Sequence, residues 1–149
     1  MGNINNISEV LRLIVTSAKL KLQDIPSEKA AVKPAPDKWS KKEILGHLID
    51  SASNNHQRFV RAAQNAAMDF PPYNQDRWVE VQHYNEMDWR ELIELFSRLN
   101  LHICRVINFL PDDVLTNLVN IGKDSPVTLE FIITDYLRHL KHHVEQLYG

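Results

Sequence analysis

Apolar residues recur along most of the chain at the three- and four-residue spacings of amphipathic helices, and strand-like alternation is nearly absent. This pattern predicts four long helices. Their expected bounds are Ser8 as N-cap to about Leu22, Ser40 to about Ala67, Asp88 to a stop at Pro111, and Ser125 or Thr128 to about Tyr148.

Two capping boxes support these starts, because a Ser or Asp at the cap is followed three residues later by Glu in both Ser40–Glu43 and Asp88–Glu91. Prolines break the pattern between 24 and 38, and a second break covers 69–87. Residues 112–125 are expected to be irregular, with a tight bend at Gly122. Four long helices, long connections and no sheet predict an all-α four-helix bundle, formed as one domain over residues 1–149.

Composition narrows the classes of partner. The formal net charge is −2, and the basic residues are spread along the chain. Nucleic acids and anionic membranes both need a concentrated basic patch, so neither is an expected partner. The chain has no apolar run of membrane-spanning length and no signal-peptide pattern at its start, so we expect a cytoplasmic protein. The single cysteine, Cys104, is expected to be a small buried residue.

Candidate chemistry is concentrated in the last predicted helix, where His139, His142 and His143 lie within five residues. Positions four apart share a helix face, so His139 and His143 can reach one ion, whereas His142 points towards water. The first candidate for a third donor is His47 on the second helix. Two alternatives stay open: a solvated, cation-bearing last turn for the pair, and a solvated surface histidine for His47.

Four further residues are candidates around this site. Asp50, three residues after His47, could orient that imidazole, and Gln146, three residues after His143, could bind substrate. Tyr73 and Trp78 lie in the second connection and could contact a cofactor or substrate. Simple packing over the end of the bundle explains the two aromatic residues equally well.

Several segments resemble the DinB-like superfamily, including its YfiT-like metal-dependent hydrolases. They are Asp37–Ser40, Gly46–Asp50, Pro72–Tyr73 with Trp78, and His139–Gln146. The resemblance implies an up-down-down-up four-helix bundle. It also implies a divalent metal, zinc or nickel, held by His47, His139 and His143 with water in the open positions.

The resemblance leaves three functions open. Some members are similar to thiol S-transferases, which would use a small-molecule thiol and an electrophilic substrate, and we expect this function here. The second is metal-dependent hydrolysis at the same histidines. The third is a non-catalytic stress-response binding module with a structural metal. A homodimer is a further expectation, with Trp89 or Phe70 exposed on its face.

Overall fold

The computed structural model of the chain describes residues 2–148. Within that range the long helices are α1, α3, α5 and α6, and two shorter helices, α2 and α4, lie in the connections. The helices are α1 (Gly2–Gln23), α2 (Ser27–Ala30), α3 (Lys41–Ala62), α4 (Gln75–Gln82), α5 (Trp89–Asn108) and α6 (Leu129–Tyr148). The strands are β1 (Ala67–Asp69), β2 (Leu118–Asn120) and β3 (Val127–Thr128), and single 3₁₀ turns cover Tyr84–Glu86 and Asp112–Val114.

Helix α1 runs antiparallel to α5. Near the start of α1, Ser8 Oγ donates to the carbonyl oxygen of Cys104, late in α5, at 3.1 Å. At the other end, Trp89 Nε1 donates to the carbonyl oxygen of Leu22 at 3.1 Å. These two contacts pair opposite ends of the helices.

Helix α3 runs parallel to α5 and antiparallel to α6. Lys42 Nζ donates to the carbonyl oxygen of Met87, just before α5, so these two helices start side by side. Phe59, late in α3, packs against Tyr136, early in α6. Together with the antiparallel α1–α5 pair, these directions confirm the up-down-down-up bundle.

The helix starts follow their capping residues. Ser40 and Glu43 form the reciprocal capping box, and the Asp88 carboxylate accepts from the backbone N–H of Glu91. Thr128 Oγ1 accepts from the N–H of Phe131, so Thr128 is the start of the last helix. The buried apolar faces of the four long helices form one core, which includes Leu11, Leu45, Phe96 and Ile133.

Two predicted helix bounds are wrong. Helix α1 begins at Gly2, not at Ser8, because the Ser8 side chain is buried against α5 instead of capping its own helix. Helix α3 ends at Ala62, short of Ala67. Asn117 Nδ2 donates a hydrogen bond to the carbonyl oxygen of Ala62, and the chain then enters β1.

The predicted absence of a sheet is also wrong. Strand β1 pairs parallel with β2, and β2 pairs antiparallel with β3. Each strand has only two or three residues, too few to show alternation in the sequence. The segments 24–38 and 69–87 also contain α2 and α4, which were not predicted. The sheet ties the connection after α3 to the one after α5.

The two residues predicted to mark a dimer face are not exposed. Trp89 is 3% exposed and Phe70 is 9% exposed, so both expected contact residues are buried in the core. Trp89 is held there by its hydrogen bond to α1.

Among the described residues, every helix is too short or too polar to cross a membrane.

Candidate metal centre

Three histidines from distant segments meet between α3 and α6. The ring centroid of His47 lies 5.3 Å from that of His139 and 4.8 Å from that of His143, and the latter two are 4.4 Å apart. One nitrogen from each ring lies within 4.8 Å of the others. Nitrogen donors on one zinc ion stand at most about 4 Å apart, so small side-chain rotations would bring all three onto a single ion.

His47 provides the test of whether this cluster fits a cation. The residue is 1% exposed, and among the described residues neither of its ring nitrogens has a hydrogen-bond partner. An unsatisfied buried polar atom costs free energy, and a cation bound at one nitrogen would remove part of that cost. The expectation of a solvated His47 is therefore wrong, because α6 and the Trp39 ring, 5.0 Å away, cover it.

Burial keeps two of the three histidines, His47 and His139, neutral. It lowers the pKa of His47 to about 4, helped by the nearby His143 and His139. It also lowers the pKa of His139 to about 4, with His143 next in importance. Both imidazoles are therefore uncharged at neutral pH, and each offers a lone pair, which is the form that binds metals.

Gln146 sets the tautomer of the third histidine. His143 Nδ1 lies 2.9 Å from the amide oxygen Oε1 of Gln146. An amide oxygen can only accept, so Nδ1 carries the proton and the lone pair is on Nε2. His142 is exposed, as predicted from its place on the helix.

Asp50 does not orient His47, which corrects the role expected from its spacing. Its Oδ1 accepts from the Tyr84 hydroxyl at 2.5 Å and from Gln82 Nε2 at 2.8 Å. Burial raises the pKa of Asp50, and those two hydrogen bonds oppose the rise. Asp50 therefore anchors the 3₁₀ turn of Tyr84 to α3, beside the cluster.

Tyr84 can approach α3 because residue 46 is glycine. A Cβ at Gly46 would lie 2.1 Å from Cδ2 of Tyr84 and 2.3 Å from its Cγ. The ring therefore packs directly on the helix backbone next to His47. The preceding residue, His83, has the left-handed φ of 53° that turns the chain towards this contact.

A cavity of about 140 Å³ opens beside the cluster. His139 lies in its wall, and the lining combines polar residues of α3 with residues of α6 and the connections: Ser51, Asn55, Arg58, Tyr73, Ile121, Phe131, Ile132, Asp135 and Tyr136. Tyr73 thus faces the candidate site, whereas Trp78 packs on the Tyr73 ring at 5.1 Å and is absent from the lining. Gln146 and Trp39 line a more open groove nearby.

Sequence reasoning missed Arg58. A signal for it exists, since Ser51, Asn55 and Arg58 follow His47 at spacings of four, four and three residues. That spacing keeps one helix face, and a polar stripe in a long buried helix indicates a lined cavity. The contact of Tyr84 with Gly46 was also missed, and it leaves no comparable spacing signal.

Comparisons with known proteins agree with this architecture. The sequence profile of the DinB superfamily matches residues 17–147. A protein of Oceanobacillus iheyensis, provisionally named a metal-dependent hydrolase, is 22% identical over 144 residues, which are 97% of this chain and 81% of that protein.

A solved structure shares the fold. YfiT from Bacillus subtilis, described as a probable metal-dependent hydrolase with an unusual four-helix bundle topology, superposes with a TM-score of 0.86 at 19% identity. The match covers 97% of this chain and 83% of YfiT.

Proposed function

The chain belongs to the DinB superfamily, and we propose that it is a metal-dependent hydrolase of small molecules whose His47, His139 and His143 hold one divalent ion, zinc or nickel. The observation that carries the proposal is the pair of unpartnered, buried nitrogens on His47, which lie beside the ring nitrogens of His139 and His143. The provisional name of the Oceanobacillus relative and the description of YfiT support the same reaction class.

Three neutral imidazoles suit this role because they leave the ion its full charge. A divalent ion held this way supplies Lewis acidity, which polarises a carbonyl or phosphoryl oxygen and acidifies water. The chain's own residues shape the surroundings. Gln146 holds the His143 tautomer, Trp39 covers one side of His47, and the cavity beside His139 receives the substrate.

The same site supports a second candidate, the transfer of a small-molecule thiol to an electrophile. A divalent cation acidifies bound water and also converts a coordinating thiol to its thiolate. The protein's own thiol cannot serve, because Cys104 is buried where α5 packs on α1, and burial raises its pKa. A thiolate at this site would therefore come from an external thiol.

Metal content of the untagged protein tests the ligand set. Elemental analysis should find close to one divalent ion per chain in the wild type, and His47→Ala and His143→Ala should lose it. His142→Ala is the matched control, since its exposed side chain should leave the ion in place. A wild type that binds neither zinc nor nickel would overturn both enzymatic proposals.

Substrate assays then separate the functions. Hydrolysis of ester, amide or phosphoester substrates without added thiol supports the hydrolase. If the protein conjugates monochlorobimane with a low-molecular-weight thiol and shows no hydrolysis without thiol, the transferase replaces the hydrolase as the proposed function. If neither reaction occurs and His47→Ala unfolds the protein, the metal is structural and the protein is a non-catalytic binding module.

A further inference from the structure

Arg58 carries a charge that has no partner within the part of the chain that the structure describes. Its Nε is buried and makes no hydrogen bond there, and the ion pairs of residues 2–148 do not include it. The guanidinium stacks on Phe70, 4.9 Å from the ring centroid. Stacking uses the face of the group and leaves its N–H edges free.

The position of Arg58 is costly unless something binds there. Burial lowers its pKa, an effect that Tyr73 opposes, but a guanidinium keeps its proton at neutral pH. A half-buried cation without an anion loses hydration with little in return.

Arg58 lines the same cavity as His139. We propose that Arg58 binds the carboxylate of a monoanionic substrate in this cavity, so that the rest of the substrate extends towards the three histidines. This inference rests on the proposed function and names the substrate class of that site. The planar fork of a guanidinium matches a carboxylate in two parallel hydrogen bonds.

The cavity sets the size of the bound group. Its volume is about 140 Å³, and a cavity of about 150 Å³ holds a benzene molecule. The wall combines the apolar side chains of Ile121, Phe131 and Ile132 with the polar side chains of Ser51 and Asn55. A small aromatic or branched aliphatic carboxylate fits both the volume and the lining.

The charges around the cavity favour one negative charge over two. Asp135 is also in the lining, where its carboxylate pairs with the exposed Arg138 at 2.8 Å. Burial raises the pKa of Tyr73, and the nearby Asp50 carboxylate raises it further, which indicates negative potential on this side. The repulsion from this negative potential would be twice as large for a phosphate dianion as for a carboxylate. The single charge of a carboxylate is balanced by Arg58 alone.

Benzoate and its neutral isostere benzamide are the probes. Binding of each to the full chain, freed of metal by a chelator, is measured by calorimetry or by tryptophan fluorescence. Metal-free protein is used because an ion could itself take the carboxylate. The variants are Arg58→Gln, Arg58→Lys and the control Arg61→Gln, since Arg61 also stacks on Phe70, at 5.5 Å, but lies outside the cavity lining.

We expect wild type and Arg61→Gln to bind benzoate at least about tenfold more tightly than benzamide, as a charge-assisted pair predicts. Arg58→Gln should lose that preference, and Arg58→Lys should keep part of it. Equal binding of the two probes by the wild type would overturn the proposal, as would an unchanged preference in Arg58→Gln. If Arg58→Gln does not fold, the wild-type preference and Arg58→Lys decide.

The outcome of this test can be distinguished from the outcome of the metal-binding test. Benzoate can bind to metal-free protein whether or not the histidines hold an ion, so a failure of metal binding leaves this test intact. Conversely, if the protein binds metal and hydrolyses substrates but shows no preference for benzoate, the proposed metal centre stands. Only the proposal of an anionic substrate is then overturned.

Discussion

His143 Nδ1 lies 2.9 Å from Gln146 Oε1, one helical turn further along α6. The contact holds the imidazole with its proton on Nδ1, which leaves Nε2 as the nitrogen available to a metal ion. We expect Gln146→Ala to weaken metal binding by about 10- to 100-fold, the usual effect of losing such a partner.

Competition with a chelator of known affinity measures this change. Glu145→Ala is the control, because Glu145 is exposed on the neighbouring face of the same helix. Equal affinities for Gln146→Ala and the wild type would show that packing alone orients His143.

Gly46 is expected to tolerate no side chain, because a Cβ there would lie 2.1 Å from the Tyr84 ring. Overpacking of this kind typically costs about 1–3 kcal/mol. Urea unfolding of Gly46→Ala should therefore show a loss of at least that size.

A double-mutant cycle isolates the contact. In a Tyr84→Ala background, Gly46→Ala should cost far less, because the ring that the new methyl group meets is gone. If the substitution costs the same with and without Tyr84, the strain lies elsewhere in α3.

Metal removal should destabilise the protein. An ion present at 100 times its Kd stabilises the folded state by about 2.7 kcal/mol, which corresponds to about 5–10 °C in a domain of this size. A chelator should lower the Tm of the wild type and of His142→Ala by that amount, and it should leave the Tm of His47→Ala unchanged. A uniform response of all three proteins would show that the chelator acts at another site.

The metal-free protein should lose stability as the pH falls from 6.5 to 4. His47 has a pKa of about 4 in the folded state and 6.5 as its ordinary value, so the unfolded chain binds more protons across that window. The free energy of unfolding therefore rises with pH there, by roughly 3 kcal/mol from this nearly fully buried side chain. His139 contributes with the same sign.

Urea titrations at pH 4.5 and 7 measure this effect, with a chelator present throughout. His47→Gln is the comparison, because it removes the titrating group and leaves the carboxylates of the protein unchanged. The variant should lose less stability than the wild type on acidification. Equal losses would mean that carboxylates and not His47 determine the acid sensitivity.

Local chemistry was sufficient to predict much of the fold. The caps Ser40, Asp88 and Thr128 act over three residues, so their hydrogen bonds can be inferred from spacing. The start of α1 could not be inferred from spacing, because the Ser8 hydroxyl donates a hydrogen bond to a residue 96 positions away. Short strands were missed for the same reason, since β1 is defined by its partner β2.

The site divides in the same way. The pair His139 and His143 follows from helical spacing. His47 was a candidate third donor because facing helices of a bundle project ligands towards one another, and the resemblance supported that choice. The orientation of His47 was misjudged because its surroundings, Trp39 and α6, come from separate segments of the chain. The role of Asp50 was wrong since Tyr84, its partner, belongs to a turn that no periodicity reveals.

The three histidines lie on α3 and α6, whereas Tyr73 and Ile121 in the cavity wall belong to the two connections that the small sheet ties together. Part of the substrate selectivity would thus reside outside the two helices that carry the histidines. Substitutions, insertions and deletions in the connections could alter which molecules enter without moving a ligand. This arrangement would let descendants of one ancestral protein diverge in substrate while inheriting the same metal centre.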